Sequence, residues 1–428
     1  MSETPFNSLS EIIGAYWPVL ALSFAVSVGA TPICRRVALR FGFVDRPDDW
    51  LKPHEKPIPY AGGVAILLGW LAGIGYALIR FASDAAESSD GPHVAAASLG
   101  VILIAGTAIA VIGLIDDLKS ISPRLKLAAT AAVGLLLVLS GLGDELILAV
   151  TGSIGVRFGP DEQWLVYAYS VPASLFLIVG ACNAANLIDG LDGLCSGVLA
   201  IIAAGFLFIA VHMHLYSHWD PRDLQRVVLS LALLGSAVGF LPFNRNPAKI
   251  FMGDAGSMLL GLNAAILLLL FAEENRLKWM LGSLMVFGLP VADMALALVR
   301  RWRAQKPVML GDRSHFYDQL VDRGLDVRTV VRISYGLTLV FVLMGLMVIP
   351  LRTRHIILIY GLFLGLIAWA IHHFRMVRTD DGPRAAADSA PNAGRNANST
   401  SNAGQNVRPG ADSDAQHHAK PDAESGAT

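Results

Sequence analysis

Long apolar runs repeat along the chain, and their length is the strongest constraint on its fold. Each run has roughly 20 residues, the length that a helix needs to cross the hydrocarbon core of a bilayer. A spanning segment must satisfy its backbone hydrogen bonds internally, so the runs predict helices. They lie near residues 13–34, 61–82, 95–115, 125–142, 164–182, 194–213, 226–243, 255–272, 278–299, 329–350 and 353–374. The sequence therefore predicts an all-α polytopic membrane protein with about eleven transmembrane helices.

Composition supports this prediction and excludes other classes. Of the 428 residues, 54% are hydrophobic and only 16% are charged, whereas soluble proteins carry about 25% charged residues. The net charge of −1 excludes the basic surface of a nucleic-acid-binding protein. The three cysteines show no disulfide or zinc spacing. We therefore expect a protein integral to the bilayer, with no nucleic-acid partner.

Lys and Arg are distributed unevenly among the connections between the apolar runs. They concentrate in the first, third, seventh and ninth connections and are sparse in the even-numbered ones. Basic connections stay in the cytoplasm. This predicts an N-terminus outside, a cytoplasmic C-terminus and odd-numbered connections on the cytoplasmic side.

Two segments outside the apolar runs have distinct patterns. After residue 378 the chain consists mainly of Ala, Asn, Ser, Gly, Pro and Asp, which cannot bury a core. We predict a membrane domain at 1–378 and a disordered cytoplasmic tail at 379–428. Alternating apolar residues between 144 and 160 predict a small exterior hairpin.

Polar residues mark the cytoplasmic edges of several runs. Asp116 and Asp117 end the third run, and Lys126 follows. Carboxylates at the border of hydrocarbon are costly and usually functional. Two interpretations stay open: a solvated stop at the helix end, or a carboxylate pair held against basic residues at a phosphate–metal site. Adjacent helical residues point about 100° apart, so both acids face one metal only where the helix ends.

The segment 183–193 carries the most specific pattern. Asn183, Asn186, Asp189 and Asp192 recur at every third position, so on a helix they form one polar stripe. Glycines follow both acids and allow a ligand to approach the backbone. The pattern predicts a ligand-binding segment.

Further candidates lie in the other odd-numbered connections. Asp254 opens the eighth run among small residues, where the N–H groups of a helix start can bind an anionic oxygen. The alternative is that Asp254 only caps the helix. The remaining polar candidates are Asn244, His54, Lys56, Arg313 and His315. For those in the first and ninth connections, a solvated charged loop is the alternative.

The types of donor indicate the cofactor. Oxygen ligands without cysteine favour a hard ion such as Mg²⁺. Mg²⁺ beside Lys and Arg at a membrane face indicates that phosphate groups are held there. The sequence has no Walker motif, dinucleotide fingerprint or His-Glu-x-x-His motif.

Taken together, the motifs resemble the polyprenyl-phosphate N-acetylhexosamine-1-phosphate transferases of glycosyltransferase family 4. The resemblance covers about residues 13–375 and excludes the tail. The matching strings are HEKPIPYAGG from His54, the pair Asp116–Asp117, NAANLIDGLDGL from Asn183, NRNPAKIFMGDAGSMLLG from Asn244 and DRSHFYDQLVDRG from Asp312.

The resemblance implies an activity and its partners. N-acetylglucosamine-1-phosphate would pass from UDP-N-acetylglucosamine to undecaprenyl phosphate with release of UMP, the first membrane step of cell-envelope polysaccharide synthesis. Mg²⁺, or alternatively Mn²⁺, would be the cofactor, with a UDP-N-acetylhexosamine and a polyprenyl phosphate as substrates. The active site would lie on the cytoplasmic face of the bacterial inner membrane. A homodimer is left open.

The resemblance also implies residue roles. Asp254 would be the principal metal ligand, with Asp117 as a second ligand. The implied catalytic residues are Asp116, Asp117, Asp189, Asp192 and His315. The implied substrate-binding residues are His54, Lys56, Lys126, Asn183, Asn186, Asn244 and Arg313.

One motif departs from the family, and two alternatives stay open. The family usually has His-x-His-His in the ninth connection, whereas this chain has His315, Phe316, Tyr317 and Asp318. We carry over a role for His315 only. The alternative within the family is a phospho-N-acetylmuramoyl-pentapeptide transferase. From a different class, the alternative is an ion-coupled secondary transporter, whose acids should lie near helix middles.

Overall fold

The computed structural model describes residues 8–45, 57–87, 92–216, 220, 222–274, 276–305 and 315–373. The helices are α1 (Leu9–Phe41), α2 (Gly62–Glu87), α3 (Pro92–Lys119), α4 (Pro123–Leu139), α5 (Leu146–Ser153), α6 (Gln163–Leu187), α7 (Leu194–Tyr216), α8 (Arg222–Asn244), α9 (Gly253–Leu270), α10 (Leu277–Val286), α11 (Gly288–Arg303), α12 (Phe316–Asp322), α13 (Val327–Val348) and α14 (Thr353–His373). A 3-10 turn covers Pro160–Glu162, and two short strands are β1 (Val44–Asp45) and β2 (Ile58–Pro59). The prediction of a helical polytopic membrane protein is confirmed.

The number of spanning helices agrees with the sequence in part. Within the described residues, nine helices are long and apolar enough to cross a membrane, or ten if α10 and α11 form one span. These two helices replace the predicted span 278–299 and meet at 72°. The predicted span 125–142 corresponds to α4, which has only 17 residues. The total of eleven and the orientation stay predictions.

Helix α9 lies at the centre of the bundle and packs against α2, α3, α6 and α8. All of its residues except Asp254 are buried. A Cβ at Gly63 would overlap the backbone of Gly256, so α2 and α9 touch through bare backbone at their first turns. This contact fixes the start of α9.

The first connection is also attached to the start of α9. Strands β1 and β2 pair in antiparallel fashion, and the Phe251 N–H donates to the Pro59 carbonyl at 2.9 Å. The Gly62 and Gly63 N–H groups donate to the carbonyls of Phe251 and Met252 at 2.9 and 2.8 Å. The strands therefore hold the residues just before Asp254.

The structure corrects the predicted hairpin at 144–160. Residues 146–153 form helix α5, with Leu146 and Ala149 buried. The Ser170 hydroxyl on α6 donates to the Asp144 carbonyl at 3.1 Å. An apolar alternation over so few residues fits a short helix as well as a strand, and packing against α6 favours the helix. The domain boundary at 378 and the tail at 379–428 lie outside the described residues.

A buried ionic network closes the end of the bundle where α8 begins and α9 ends. The fully buried Arg226 guanidinium contacts the Asp223 carboxylate and lies 2.9 Å from Glu273 Oε1. It also donates to the Leu270 carbonyl, at 2.8 Å from Nε. Arg276 reaches the other Glu273 oxygen at 3.0 Å. The network joins α8 to α9 at the opposite end from Asp254.

Candidate active site

Four helix ends meet at the other end of the bundle. The last turn of α3 brings Asp116 and Asp117, the first turn of α4 brings Lys126, the end of α6 brings Asn186, and the start of α9 brings Asp254. The Lys126–Asn186 hydrogen bond joins residues 60 positions apart, and the Asp254–Asp117 hydrogen bond joins residues 137 positions apart. The prediction that the polar segments lie at the same end of the bundle is confirmed for these residues.

Asp117 caps the central helix. Its Oδ1 accepts from the Asp254 N–H at 2.8 Å, and its Oδ2 accepts from the Ala255 N–H at 3.2 Å. A carboxylate at a helix N-terminus satisfies free donors and meets the positive end of the helix dipole. The predicted anion site at these N–H groups is therefore taken by the protein itself, and Asp117 fixes the position of Asp254.

Lys126 lies between the other carboxylates. Its ammonium is 2.9 Å from Asp116 Oδ2, contacts Asp254 Oδ2 and lies 3.4 Å from Asn186 Oδ1. The Lys126, Asp116 and Asp254 side chains are 16%, 14% and 27% exposed. We call these four residues the lysine cluster. It is a cation position surrounded by carboxylate and amide oxygens.

Asn186 orients Asp254 within the lysine cluster. Its Nδ2 donates to Asp254 Oδ1 at 2.6 Å and to the Ser257 hydroxyl at 3.0 Å. The Ser257 hydroxyl donates in turn to the Gly253 carbonyl at 3.1 Å. Asp254 is thus held by α4, α6 and its own helix, which gives its carboxylate one defined orientation.

The predicted polar stripe does not continue beyond α6. The helix ends at Leu187, and residues 188–193 form a turn that closes at Gly193, where φ is +80°. That conformation favours glycine, and it ends the helical spacing that the stripe requires. Asp192 instead accepts from Asn246 Nδ2 at 3.0 Å and from the Ala248 N–H at 2.9 Å. Asp192 therefore attaches the turn to the segment after α8.

Asp189 lies in this turn and is half-buried. Burial, together with the carboxylates of Asp254, Asp117 and Asp192, raises the pKa of Asp189 to about 8. No described residue donates a hydrogen bond to its side chain. The acids around Lys126 outnumber it, and a further cation near Asp189 would favour the charged form of that side chain.

Two residues predicted to bind substrate, Asn244 and Asn183, form hydrogen bonds to the backbone instead. The Asn244 side chain is buried; it accepts from the Gly193 N–H at 3.1 Å and donates to the Ile250 carbonyl at 3.2 Å. It holds the turn and the segment before α9 together. Asn183 donates to the Val179 carbonyl at 2.7 Å, one turn back along α6. The structure does not bring Asn183 into the lysine cluster.

His315 has a partner that the sequence did not indicate. Its Nδ1 lies 2.7 Å from Asp293 Oδ2, and the Phe316 N–H donates to Asp293 Oδ1 at 3.0 Å. Asp293 is buried in α11, and the only signal for it was a lone acid inside an apolar helix. His54, Lys56 and Arg313 lie outside the described residues.

The lysine cluster fits a hard divalent cation by its donors. Carboxylate and amide oxygens are the ligands that Mg²⁺ prefers, and Mg²⁺ usually takes one or two carboxylates together with phosphate and water. Among the described residues, no three His, Cys, Asp or Glu side chains form a complete metal cage. The described donors alone therefore do not complete the coordination of such an ion.

Fold and site together define a class: a multi-pass membrane protein with a cluster of acids around one lysine at one end of its bundle. Residues 99–272 match the family described as Glycosyl transferase family 4. The chain is 32% identical over 312 residues to the "Probable undecaprenyl-phosphate N-acetylglucosaminyl 1-phosphate transferase" of Bacillus subtilis, covering 73% of this chain and 78% of that protein.

Two further relatives extend the comparison. The "Decaprenyl-phosphate N-acetylglucosaminephosphotransferase" of Mycobacterium tuberculosis is 32% identical and covers 72% of this chain and 76% of its own length. The "Phospho-N-acetylmuramoyl-pentapeptide-transferase" of Chlorobium luteolum is 30% identical, covering 70% of this chain and 82% of its own. The chain belongs to glycosyl transferase family 4, the polyprenyl-phosphate N-acetylhexosamine-1-phosphate transferases. The predicted resemblance is confirmed.

Proposed function

We propose that the chain transfers N-acetylglucosamine-1-phosphate from UDP-N-acetylglucosamine to undecaprenyl phosphate and releases UMP. The observation that carries this proposal is the lysine cluster, where three helix ends place oxygen ligands around one cation position. The names of the Bacillus subtilis and Mycobacterium tuberculosis relatives support N-acetylglucosamine and a polyprenyl phosphate as the substrate classes.

The reaction brings two anions together. An oxygen of the lipid phosphate attacks the sugar-bearing phosphorus of the nucleotide sugar, a new P–O–P bond forms, and the bridging oxygen leaves with UMP. The lipid phosphate is already a nucleophile at neutral pH, since its second pKa is about 6. The protein therefore needs to neutralise charge and hold geometry more than to supply a strong base.

Three residues of the lysine cluster, together with Asp117, have a role in this proposal. Asp254 and Asp116 would hold Mg²⁺, or Mn²⁺ in its place, which neutralises the diphosphate when bound. Asp117 holds Asp254 through the start of α9 and is the further candidate ligand. Lys126 has its ammonium within 3.4 Å of all three neighbouring side chains, and we propose that it turns from Asp254 to a phosphate oxygen when the substrates bind.

The turn after α6 serves the nucleotide sugar. Asp189 offers a carboxylate without a hydrogen-bond donor among the described residues, whereas Asp192 holds the turn through Asn246. We propose that Asp189 contacts the nucleotide or its metal and that Asp192 acts by positioning the turn. His315, held by Asp293, is proposed to face the phosphates.

The same proposal covers location. We propose eleven spans, an exterior N-terminus and an active site on the cytoplasmic face of the bacterial inner membrane. The bias of Lys and Arg towards the odd-numbered connections supports this orientation.

A thin-layer assay with purified protein, polyprenyl phosphate and labelled UDP-N-acetylglucosamine tests the activity. We expect labelled lipid and equimolar UMP with Mg²⁺, and no product with chelator. UDP-N-acetylmuramoyl-pentapeptide is offered in parallel, and its preferential use would assign the alternative branch. Ion-driven uptake in proteoliposomes without UMP release would instead indicate a transporter.

Substitution of Asp254 tests the metal assignment within this assay. Asp254→Asn keeps the size of the side chain and removes its charge, so we expect a loss of at least about 100-fold in turnover. Asp161→Asn, in the exposed 3-10 turn, is the matched control and should keep full activity. Mg²⁺-dependent turnover near the wild-type rate in Asp254→Asn would disprove the assignment.

A further inference from the structure

The turn Ile188–Gly193 is held at both ends by tyrosine hydroxyls. The Tyr317 hydroxyl on α12 donates to the Leu187 carbonyl at 2.7 Å, just before the turn. The Tyr335 hydroxyl on α13 donates to the Gly193 carbonyl at 2.5 Å, at its last residue. Both donors come from helices that contribute nothing to the lysine cluster. The turn is therefore bound to a separate part of the bundle.

Glycines without a side chain leave space for both tyrosine rings. A Cβ on Gly190 would overlap the Tyr317 hydroxyl, and a Cβ on Gly197 would overlap that of Tyr335. The two rings thus lie directly against the turn and the first residues of α7. Any side chain at either glycine would displace a hydroxyl from its carbonyl.

The ring of Tyr317 is itself fixed. It stacks on the His315 imidazole with 5.4 Å between ring centroids and 8° between planes, and His315 is bonded to Asp293 on α11. Burial raises the pKa of Tyr317 well above its ordinary value, so the hydroxyl stays a neutral donor. The contacts run from α11 through His315 and Tyr317 to the turn.

We infer that Tyr317 and Tyr335 are positioning residues that clamp the turn so that Asp189 faces the nucleotide sugar. Tyr317 stands where the family pattern has its second histidine, so in this chain a hydroxyl-to-backbone bond holds the turn. The inference rests on the proposed function, because it assigns the turn to nucleotide-sugar binding. Loss of a clamp would allow Asp189 to move and would weaken substrate binding.

Phenylalanine substitutions isolate the two hydroxyls. Tyr317→Phe and Tyr335→Phe keep the rings and remove one donor each. The matched control is Tyr360→Phe, because the Tyr360 hydroxyl on α14 donates to the Leu281 carbonyl on α10 and does not contact the turn. All three variants lose the same kind of bond, so a general loss of stability should affect them alike.

We expect substrate binding and thermal stability to respond differently in the three variants. We expect all three variants to melt somewhat earlier than the wild type. The KM for UDP-N-acetylglucosamine should rise roughly 5–30-fold in Tyr317→Phe and Tyr335→Phe, the range for one lost hydrogen bond in a site. In Tyr360→Phe it should stay within about twofold. A KM unchanged in both test variants, or raised equally in the control, would overturn the inference.

Hydrogen–deuterium exchange separates failure of the clamp from failure of the proposed function. In the absence of substrate, the turn should exchange faster in Tyr317→Phe and Tyr335→Phe than in the wild type and in Tyr360→Phe. Wild-type protein without transferase activity would disprove the proposed function and leave this exchange test valid. Equal exchange of the turn in all four proteins would disprove the clamp.

Discussion

The Lys126 ammonium lies at the position that we propose for the metal ion, which leads to a prediction with two effects of opposite direction. Lys126→Met keeps the length of the side chain and removes the charge that lies 2.9 Å from Asp116 and in contact with Asp254. Without the ammonium, the carboxylates are left to attract a free cation. We expect Mg²⁺ to bind the variant more tightly while turnover falls.

The size of the first effect follows from charge and distance. Two unit charges 4 Å apart interact by about 1 kcal/mol under water-like screening. The repulsion between an ammonium and a divalent ion is twice that, about 2 kcal/mol, which corresponds to about 30-fold tighter Mg²⁺ binding. Turnover should fall by about 10²–10³-fold, the loss typical for removal of one group that stabilises developing charge.

Titration calorimetry of purified protein in detergent, without nucleotide, measures the Mg²⁺ affinity. The lipid-product assay measures turnover on the same preparations. Lys119→Met is the matched control, because Lys119 ends α3 on the exposed surface, three residues after Asp116. We expect both properties of that control to stay within about twofold of the wild type.

Weaker or unchanged Mg²⁺ binding in Lys126→Met would refute the reasoning. It would mean that the ion binds elsewhere, or that the ammonium supports the site only by holding its shape. Tighter binding with unchanged turnover would refute the second part, the role of Lys126 towards the substrate phosphates.

Three further predictions concern other parts of the chain. The pKa of Asp189, about 8 against an ordinary value of about 3.9, means that the folded protein holds this proton longer than the unfolded chain. Without Mg²⁺ the free energy of unfolding should therefore fall as pH rises from about 4 to about 8, and thermal melts of Asp189→Asn should show a shallower slope. Asp293→Asn should lower kcat by roughly 10–100-fold, as for other groups that orient a functional histidine. The same substitution in a His315→Gln protein should cause no further loss of kcat. Additive losses of kcat would show that Asp293 has a role independent of His315. Arg226→Met removes a cation that pairs with two buried carboxylates, those of Asp223 and Glu273, and should cost about 3–5 kcal/mol of stability, measured by denaturant unfolding, without a change in KM.

Local sequence was sufficient to predict the helices and to predict that the polar segments lie at the same end of the bundle. The apolar runs specify helices because a bilayer permits little else. Asp116 and Asp254 were expected at one end because both belong to odd-numbered connections, and contacts through Lys126 confirm it. These inferences need only segment length and the order of the runs.

The errors came from backbone geometry and long-range contacts. The stripe from Asn183 to Asp192 failed because Gly193 takes a positive φ and closes a turn. The cap that Asp117 forms on α9 joins residues 137 positions apart, and no local pattern encodes such a pairing. The partner of His315 depends on where α11 lies after its 72° bend from α10.

The position of the Lys126 ammonium among the carboxylates also has a consequence for membrane insertion and assembly of the chain. Acids at the membrane border are a burden while a polytopic chain is inserted and its helices associate. Lys126 comes from a helix next to the one that brings Asp116, so a counter-charge arrives with the first acids and is in place when Asp254 docks. Assembly of the bundle therefore does not have to wait for a metal or a nucleotide, because the chain supplies its own counter-charge.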